Sequence, residues 1–581
     1  MSFLPIRFST RAIPYLVFVL AALGLALVES LGGGVDLHDI DDMMRAVEVQ
    51  RLFEGQGFYD LSLPMIAMPG PYIAPWSRLV DIPYVVLGAL FAGVAGADAG
   101  LRLAFLVWPP LMLCGFAATL LCAMRQLAPP DKPLRTGEAT LALLLLVAGV
   151  NEFAPGRIDH HNVQMLLVMT ILCGISVWSR RGACLAGVAS VLSVAVGLEM
   201  LPLVALVMLA VAMAFVFDGD KARGFARGYA VTVLVMAPLS ALLLLGPDGA
   251  SRTSCDAYSA PYVSGFIGYG LGLAIVSLVP ASSSRWMRLA LLGLAGAGVC
   301  GGLAFSFQTC LAGPYVAVDG LTRSLWLDQI RQEHSAFSLL SGGDWSFVGA
   351  YFAPSVLLLL LIPALQRRIR LADTRTILLY AVAVGLVVLG CLQLRFGRFM
   401  GLGVAVLFPL LLRQWRDDRQ VMVSWLAAST GAWVAAVAAI VLVFPSGPPL
   451  LSVFEGRCKN ADLSVLHALP PGRFLTPPRV GMAMLPELSP GQSISSVPFH
   501  RAAPGIHRAL VALLADDPES RAAAFRPFDY VALCPQTLPD AYQHTVFSAL
   551  LAGKGWPGVF RIDNPTPSNF RVYRIDHTHL R

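Results

Sequence analysis

The chain has 581 residues, 56% of them hydrophobic and 13% charged, against roughly 25% charged in an ordinary soluble domain. Apolar runs of about 18 residues or more recur from Ala12 to Phe444, more than a soluble core can use and long enough to cross a bilayer. The net charge of +6 is spread through short loops and forms no single basic patch, which excludes nucleic acid as a partner and leaves the lipid bilayer as the first one.

The first apolar run, residues 13–28, follows Arg7 and Arg11. It is too long for the apolar region of a signal peptide and no A-x-A site follows, so it reads as a first span with a cytoplasmic N-terminus. Residues 30–81 form a long loop carrying Asp36, Asp39, Asp41, Asp42, Glu48, Glu54 and Asp60. The run 82–94 is short for a span and reads as a re-entrant or interfacial helix on the outer side. The second span is then 103–124, ending in a loop with Arg125, Lys132 and Arg135. Later connections carry Arg180 and Arg181; Lys221, Arg223 and Arg227; Arg285 and Arg288; Arg367, Arg368 and Arg370; and Arg413, Arg416 and Arg419. All fall on one face, as the positive-inside rule requires. The opposite loops hold residues 157–161, 247–261, 309–346 and the turn around Arg395. About thirteen spans result.

From Pro445 onward Pro, Ser and polar residues replace the apolar spans. Runs 479–485, 530–534 and 570–575 read as strands and 503–524 as helix, a small α/β domain on the outer face. The predicted organisation is a transmembrane domain over 1–445 and an extracytoplasmic domain over 446–581. Six of the ten cysteines lie in or at the ends of spans. Cys255, Cys310, Cys458 and Cys534 fall on the outer side, where an even number permits disulfides; Cys255–Cys310 and Cys458–Cys534 are the natural pairs.

Four clusters carry the chemistry. In the first loop, Asp36, Asp39, Asp41 and Asp42 repel one another unless a cation neutralises them. In a helix Asp39 and Asp42 share a face, and Asp41 stands one turn before Arg45; a solvated helix N-terminus is the bland reading. Next, Arg157-Ile-Asp159-His160-His161 precedes a span. In an extended segment Asp159 and His161 point the same way and His160 the other, so a carboxylate oxygen and an imidazole nitrogen could chelate a metal; the bland reading is a helix cap with Asp159 as N-cap. Third is Asp328-Gln-Ile-Arg331-Gln-Glu333-His334 in a long outer loop. Fourth is Arg395, at an outer membrane edge, where an unpaired guanidinium is costly and phosphate is its natural partner.

This order of features resembles the catalytic subunit of oligosaccharyltransferases, most closely the archaeal kind, within the GT-C glycosyltransferase superfamily. The resemblance covers about residues 1–445, with Asp159-His160-His161 its most specific match. It implies a mainly α, polytopic GT-C fold and a donor carried on a polyprenyl phosphate or pyrophosphate. Asp42, with Asp41 and Asp39 as neighbours in register, matches the aspartate that approaches acceptor and metal. Asp159 and His161 match the second metal-binding motif, Glu333 the glutamate of a mobile outer loop, and Arg395 the arginine on the donor's phosphates, where His160 is also expected. The family's WWDYG motif should follow the last span; that stretch here begins Phe444-Pro-Ser-Gly-Pro-Pro-Leu and contains none.

The expectation is thus a membrane glycosyltransferase with Asp42, Asp41 and Glu333 as catalytic residues. Mg²⁺ or Mn²⁺ would be held by Asp39, Asp42, Asp159 and His161, with Arg395 and His160 on the donor phosphate. The acceptor would be an extracytoplasmic glycan, lipid or protein, and the location the inner (plasma) membrane. A lipid-linked-glycan flippase and a non-catalytic factor for envelope polysaccharide assembly are the alternatives. A flippase should carry charge near the midplane and often shows repeats, neither evident here.

Overall fold

The structure, a computed structural model, describes residues 37, 39–128, 133–280, 283–370, 373–443, 461–563 and 568–580, with isolated positions at 20, 24, 28, 452–454, 456 and 458. Most of the expected first span, Asp36 and most of the stretch 444–457 lie outside the described residues. The chain divides into two compact units: one gathers residues 1–37, 76–311 and 334–448, the other residues 38–75, 312–333 and 449–581.

The first unit is helical. Its principal helices are α1 (Asp81–Ala95), α2 (Ala97–Leu127), α3 (His161–Val177), α4 (Arg180–Val196), α5 (Leu201–Asp218), α6 (Asp220–Ser251), α7 (Ala260–Val276), α8 (Arg285–Ser306), α9 (Val348–Leu360), α10 (Thr374–Leu392), α11 (Met400–Asp417) and α12 (Arg419–Val443). Among the described residues eight of these, alone or with the short helix beside them, are long and apolar enough to cross a membrane, and α1, α3 and α7 are shorter apolar helices. In α8 and α12 only 0% and 6% of the spanning window is buried, and residues such as Leu294 and Leu442 are largely exposed. A water-facing surface of that kind is untenable, and hydrocarbon is the solvent it fits. The protein is a multi-pass membrane protein.

Small residues set the closest helix crossings, as is usual where lipid supplies no hydrophobic drive. A Cβ on Gly174 would lie 2.5 Å from Gly182 O, and one on Gly182 2.4 Å from Gly174 O, so α3 and α4 cross backbone to backbone. Both are 17 residues long, and as an antiparallel pair they return the chain after α4 to the level where α3 began. That return matters for the site below.

The second unit holds a seven-stranded sheet in the order β2-β1-β4-β3-β5-β7-β6, where β1 is Ser62–Ala67, β2 Pro71–Ile73, β3 Gly472–Leu475, β4 Gln492–Ile494, β5 Tyr530–Leu533, β6 Val559–Ile562 and β7 Arg571–Ile575. Its centre is parallel, with Phe474 facing Ile494 on one side and Tyr530 on the other, while β5, β7 and β6 are antiparallel. The first loop contributes β1 and β2: Ile66 pairs in parallel with Ile494. The strands expected at 530–534 and 570–575 are β5 and β7. The run 479–485 is not a strand. It forms the helix Pro478–Met484, with proline in its first turn, where the missing N–H costs nothing; the strand is β3, just before it. The expected helix 503–524 is two helices, Ala503–Leu514 and Pro518–Phe525, broken where Asp517 caps the second by accepting from Ser520 N.

Both cysteine pairs form: Cys255–Cys310, with Cα atoms 4.9 Å apart, and Cys458–Cys534, at 5.4 Å. Cys534 directly follows β5, so its bond ties the segment around Cys458 to the sheet. Replacing Cys458 and Cys534 together by serine is expected to cost about 2–5 kcal/mol, read as a lower melting temperature on which reductant acts only through the remaining Cys255–Cys310 bond.

Candidate functional site

The segment that leads into α3 is not extended. His160 has helical backbone angles (φ −73°, ψ −14°) and is itself the N-cap of α3, with no side-chain cap bond. The alternation that would turn His160 away from its neighbours therefore does not operate, and Asp159 is not the cap. Asp159, His160 and His161 each offer one ligand atom within 4.8 Å of the others, and Asp159 and His160 are buried. His161 Nε2 lies 3.2 Å from Asp159 Oδ2, and His160 Nδ1 lies against Asp159 Oδ1. Trp76 covers His160, with ring centroids 5.6 Å apart.

A second carboxylate closes the cluster. Glu199, in the turn after α4, has Oε1 at 3.0 Å from His160 Nε2 and 3.4 Å from His161 Nδ1. Gln164 Oε1 is 3.2 Å from His161 Nδ1. Gly197 makes this return possible: a Cβ there would lie 2.7 Å from Gln164 Nε2. Glu199 was not among the residues expected from sequence. Its signal was available, a lone carboxylate in the apolar run from Val194 to Ala210, where an ionisable group is a functional candidate by default.

Arg395 reaches the same glutamate, with Nη1 3.6 Å from Glu199 Oε2. It sits on the turn Leu394–Phe399 between α10 and α11, anchored by the buried rings of Phe396 and Phe399. The neighbouring Arg398 stands 3.3 Å from Glu152, which also accepts from Arg157 at 2.6 Å. Glu152 thus ties the segment before α3 to the arginine turn.

Burial opposes charge on Asp159, but the two imidazoles beside it win and hold its carboxyl well below the usual range. Burial also opposes charge on His160, yet Asp159 and Glu199 push its imidazole up to about 10. Asp159 and Glu199 thus make a field that favours positive charge, either a proton on His160 or a metal ion that displaces that proton, since only a neutral imidazole can ligate. One oxygen and two nitrogen donors also form a set that divalent metals accept. The residues present therefore fit a metal ion.

In the second unit, Asp39 is the N-cap of the helix Ile40–Phe53, accepting from Asp41 N and Asp42 N, while the Asp42 carboxylate accepts from Asp39 N. This reciprocal capping box closes the start of the helix. Asp42 is fully buried. Arg45 pairs with Glu48 at 2.9 Å. Glu333 closes the turn Arg331–Glu333 and accepts from Tyr315 at 3.1 Å, whose ring meets that of His500. The first unit thus brings together Asp159, His160, His161 and Arg395, and the second carries Asp39, Asp41, Asp42 and Glu333.

No protein-family model and no curated protein matches the chain. Solved structures do. The archaeal oligosaccharyltransferase AglB from Archaeoglobus fulgidus, in complex with an inhibitory peptide and a dolichol-phosphate, aligns over 97% of this chain and 74% of its own at 14% identity and a TM-score of 0.63. The Archaeoglobus fulgidus oligosaccharyltransferase in complex with Zn and sulfate aligns over 96% and 72% at 13% identity and 0.56. The same enzyme tethered through a disulfide to an acceptor peptide containing the NVT sequon aligns over 96% and 74% at 12% identity and 0.55. The chain is a mainly helical, polytopic membrane protein with a GT-C fold like that of the archaeal oligosaccharyltransferase.

Proposed function

We propose that the protein is a membrane glycosyltransferase that moves a sugar or oligosaccharide from a polyprenyl-phosphate or polyprenyl-pyrophosphate carrier to an extracytoplasmic glycan, lipid or protein. The observation that carries this reading is the Asp159–His160–His161 cluster, closed by Glu199 and Arg395, at the head of α3 in this fold. The dolichol-phosphate, the Zn and sulfate, and the acceptor peptide of the neighbours support a lipid-linked donor, a divalent metal and an acceptor here.

Asp159, His160 and His161 would hold the metal; two imidazoles among three donors favour Mn²⁺ over Mg²⁺, which prefers oxygen. A divalent metal bound there supplies charge stabilisation for the leaving phosphate. Arg395 offers that phosphate a planar fork of N–H donors, and Glu199 fixes the orientation of Arg395 and both imidazoles. Asp42 orients the acceptor nucleophile, with Asp41 beside it and Asp39 holding the helix start, and Glu333 acts from the outer loop. The reading places 446–581 outside the inner membrane and the N-terminus in the cytoplasm. Without a WWDYG motif, the acceptor is not selected by a sequon reader of that type.

The test is turnover of a short-chain polyprenyl-pyrophosphate-linked sugar by the protein in membranes, followed as appearance of free polyprenyl pyrophosphate. Release should stop with chelator and return with Mn²⁺. A flippase would move the lipid-linked sugar and leave it intact. Intact donor under every metal condition, with unchanged surface glycans in a deletion strain, would overturn the proposal.

A further inference from the structure

On the face opposite to the cluster just described, the turn between α5 and α6 meets the start of α8. Among the 22 residues of α8, all described, Arg288 is the one that is buried, at 7% exposure. Its apolar side chains are exposed or, like Leu291 and Leu292, only partly buried against the core, so the one fully enclosed side chain of the helix is a cation. Its guanidinium lies over the Phe215 ring, 5.7 Å from the centroid, and Arg223 lies over the same ring at 6.0 Å. A Cβ on Gly219 would come within 2.3 Å of Arg288 Nη1, so the guanidinium packs directly on the backbone of the turn.

Phe215 faces both charges with its ring but can accept few of the ten N–H donors that two guanidiniums carry. Among the described residues no hydrogen bond from the Arg288 guanidinium is found, and its buried Nε has no acceptor, nor has Arg223 Nη2. Two carboxylates flank the turn. Asp218 accepts from Thr374, and Asp220 lies 3.0 Å from Arg223 Nε with its side chain 64% exposed. Neither meets Arg288. Two cations drawn to one ring repel each other, and a buried guanidinium without acceptors is costly. An anion with several oxygens resolves both, and the fork geometry of arginine favours phosphate.

Position decides the source. Arg288 is in the first turn of a membrane-length helix, on the side where Arg180, Arg181, Lys221 and Arg227 also lie, the level at which lipid phosphates stand. We propose that Arg223 and Arg288, gathered on Phe215, form a binding site for the phosphate of an anionic lipid headgroup, separate from the donor-phosphate site at Arg395.

The full chain, purified and incubated with phosphatidylglycerol, is examined by native mass spectrometry and thermal melting. Arg288→Gln and the more exposed Arg223→Gln should each weaken lipid retention at least about ten-fold, as loss of charged hydrogen bonds implies. The exposed Arg285→Gln should retain the lipid, and pure phosphatidylcholine should not separate wild type from variants. Undiminished retention in Arg223→Gln, whether or not Arg288→Gln folds, would overturn the site. An equal loss in Arg285→Gln would reduce it to a general basic face. Stabilisation of the lipid-free protein by millimolar inorganic phosphate, lost in the same variants, would overturn the lipid as its source.

Discussion

Asp159→Ala is expected to lower donor turnover at least about a hundred-fold, because partners one layer removed from a metal already cost 10–100-fold and Asp159 supplies a ligand atom itself. The protein should remain folded in the membrane. His160, left without Asp159, keeps Glu199 3.0 Å from its Nε2, so the substitution does not strand an isolated buried cation. Capping cannot account for such a loss: the cap residue of α3 is His160, which makes no side-chain cap bond, and a lost cap is worth only about 1 kcal/mol. The structure also changes the expected ranking of the histidines. An extended segment would make His160→Ala mild; the helical angles at His160 place both rings in the cluster, with centroids 4.4 Å apart. His160→Ala and His161→Ala should therefore be similarly severe. The check is turnover against added Mn²⁺ for the three alanine variants. A His160→Ala enzyme with normal rate and normal Mn²⁺ midpoint would remove His160 from the metal, and full activity of Asp159→Ala in chelator would remove the metal.

What the sequence disclosed follows from how local each signal is. The membrane class was legible because apolar runs of spanning length need no partner to be recognised. Asp159, His160 and His161 were legible as polar residues packed together beside a span, and the four outer cysteines could be paired because compartment narrows the choice. The sheet was not legible in the same way. β1 contains Pro64; it pairs with nearby β2 in an irregular antiparallel hairpin and with distant β4 at Ile66–Ile494, and no local period announces either. The helix at Pro478–Met484 shows the converse, a short apolar run whose period cannot separate strand from helix until Pro478 is read as a first-turn residue. In the first loop, residue type pointed to chemistry at Asp39, and the capping bonds it accepts from the N–H groups of Asp41 and Asp42 become visible only once the helix start is fixed. Glu199 was not legible as part of the site because it stands alone in sequence, outside every cluster of charge. Only the antiparallel return of α4 against α3, made close by Gly174 and Gly182, brings it to the histidines.

That solitary carboxylate yields the second large effect. Glu199→Gln keeps a carbonyl oxygen where Oε1 meets His160 and His161, and removes the negative charge that offsets His160 and faces Arg395 at 3.6 Å. Activity should fall about 10–100-fold, the usual range for a group that orients metal ligands. The Mn²⁺ midpoint should rise by a similar factor, because His160 and His161 are then left with one carboxylate, Asp159. A merely structural glutamate would lower the melting temperature and leave the Mn²⁺ midpoint unmoved, so the midpoint separates the two roles. Arg395→Gln should behave differently. It leaves the ligands in place and, on the proposed reading that Arg395 meets the donor phosphate, should raise the donor KM with little change in the Mn²⁺ midpoint. Because both residues meet through Glu199 Oε2, the double variant Glu199→Gln with Arg395→Gln should lose less than the sum of the two free-energy changes. Strict additivity would show that Glu199 and Arg395 act independently and that the contact between them has no part in positioning either.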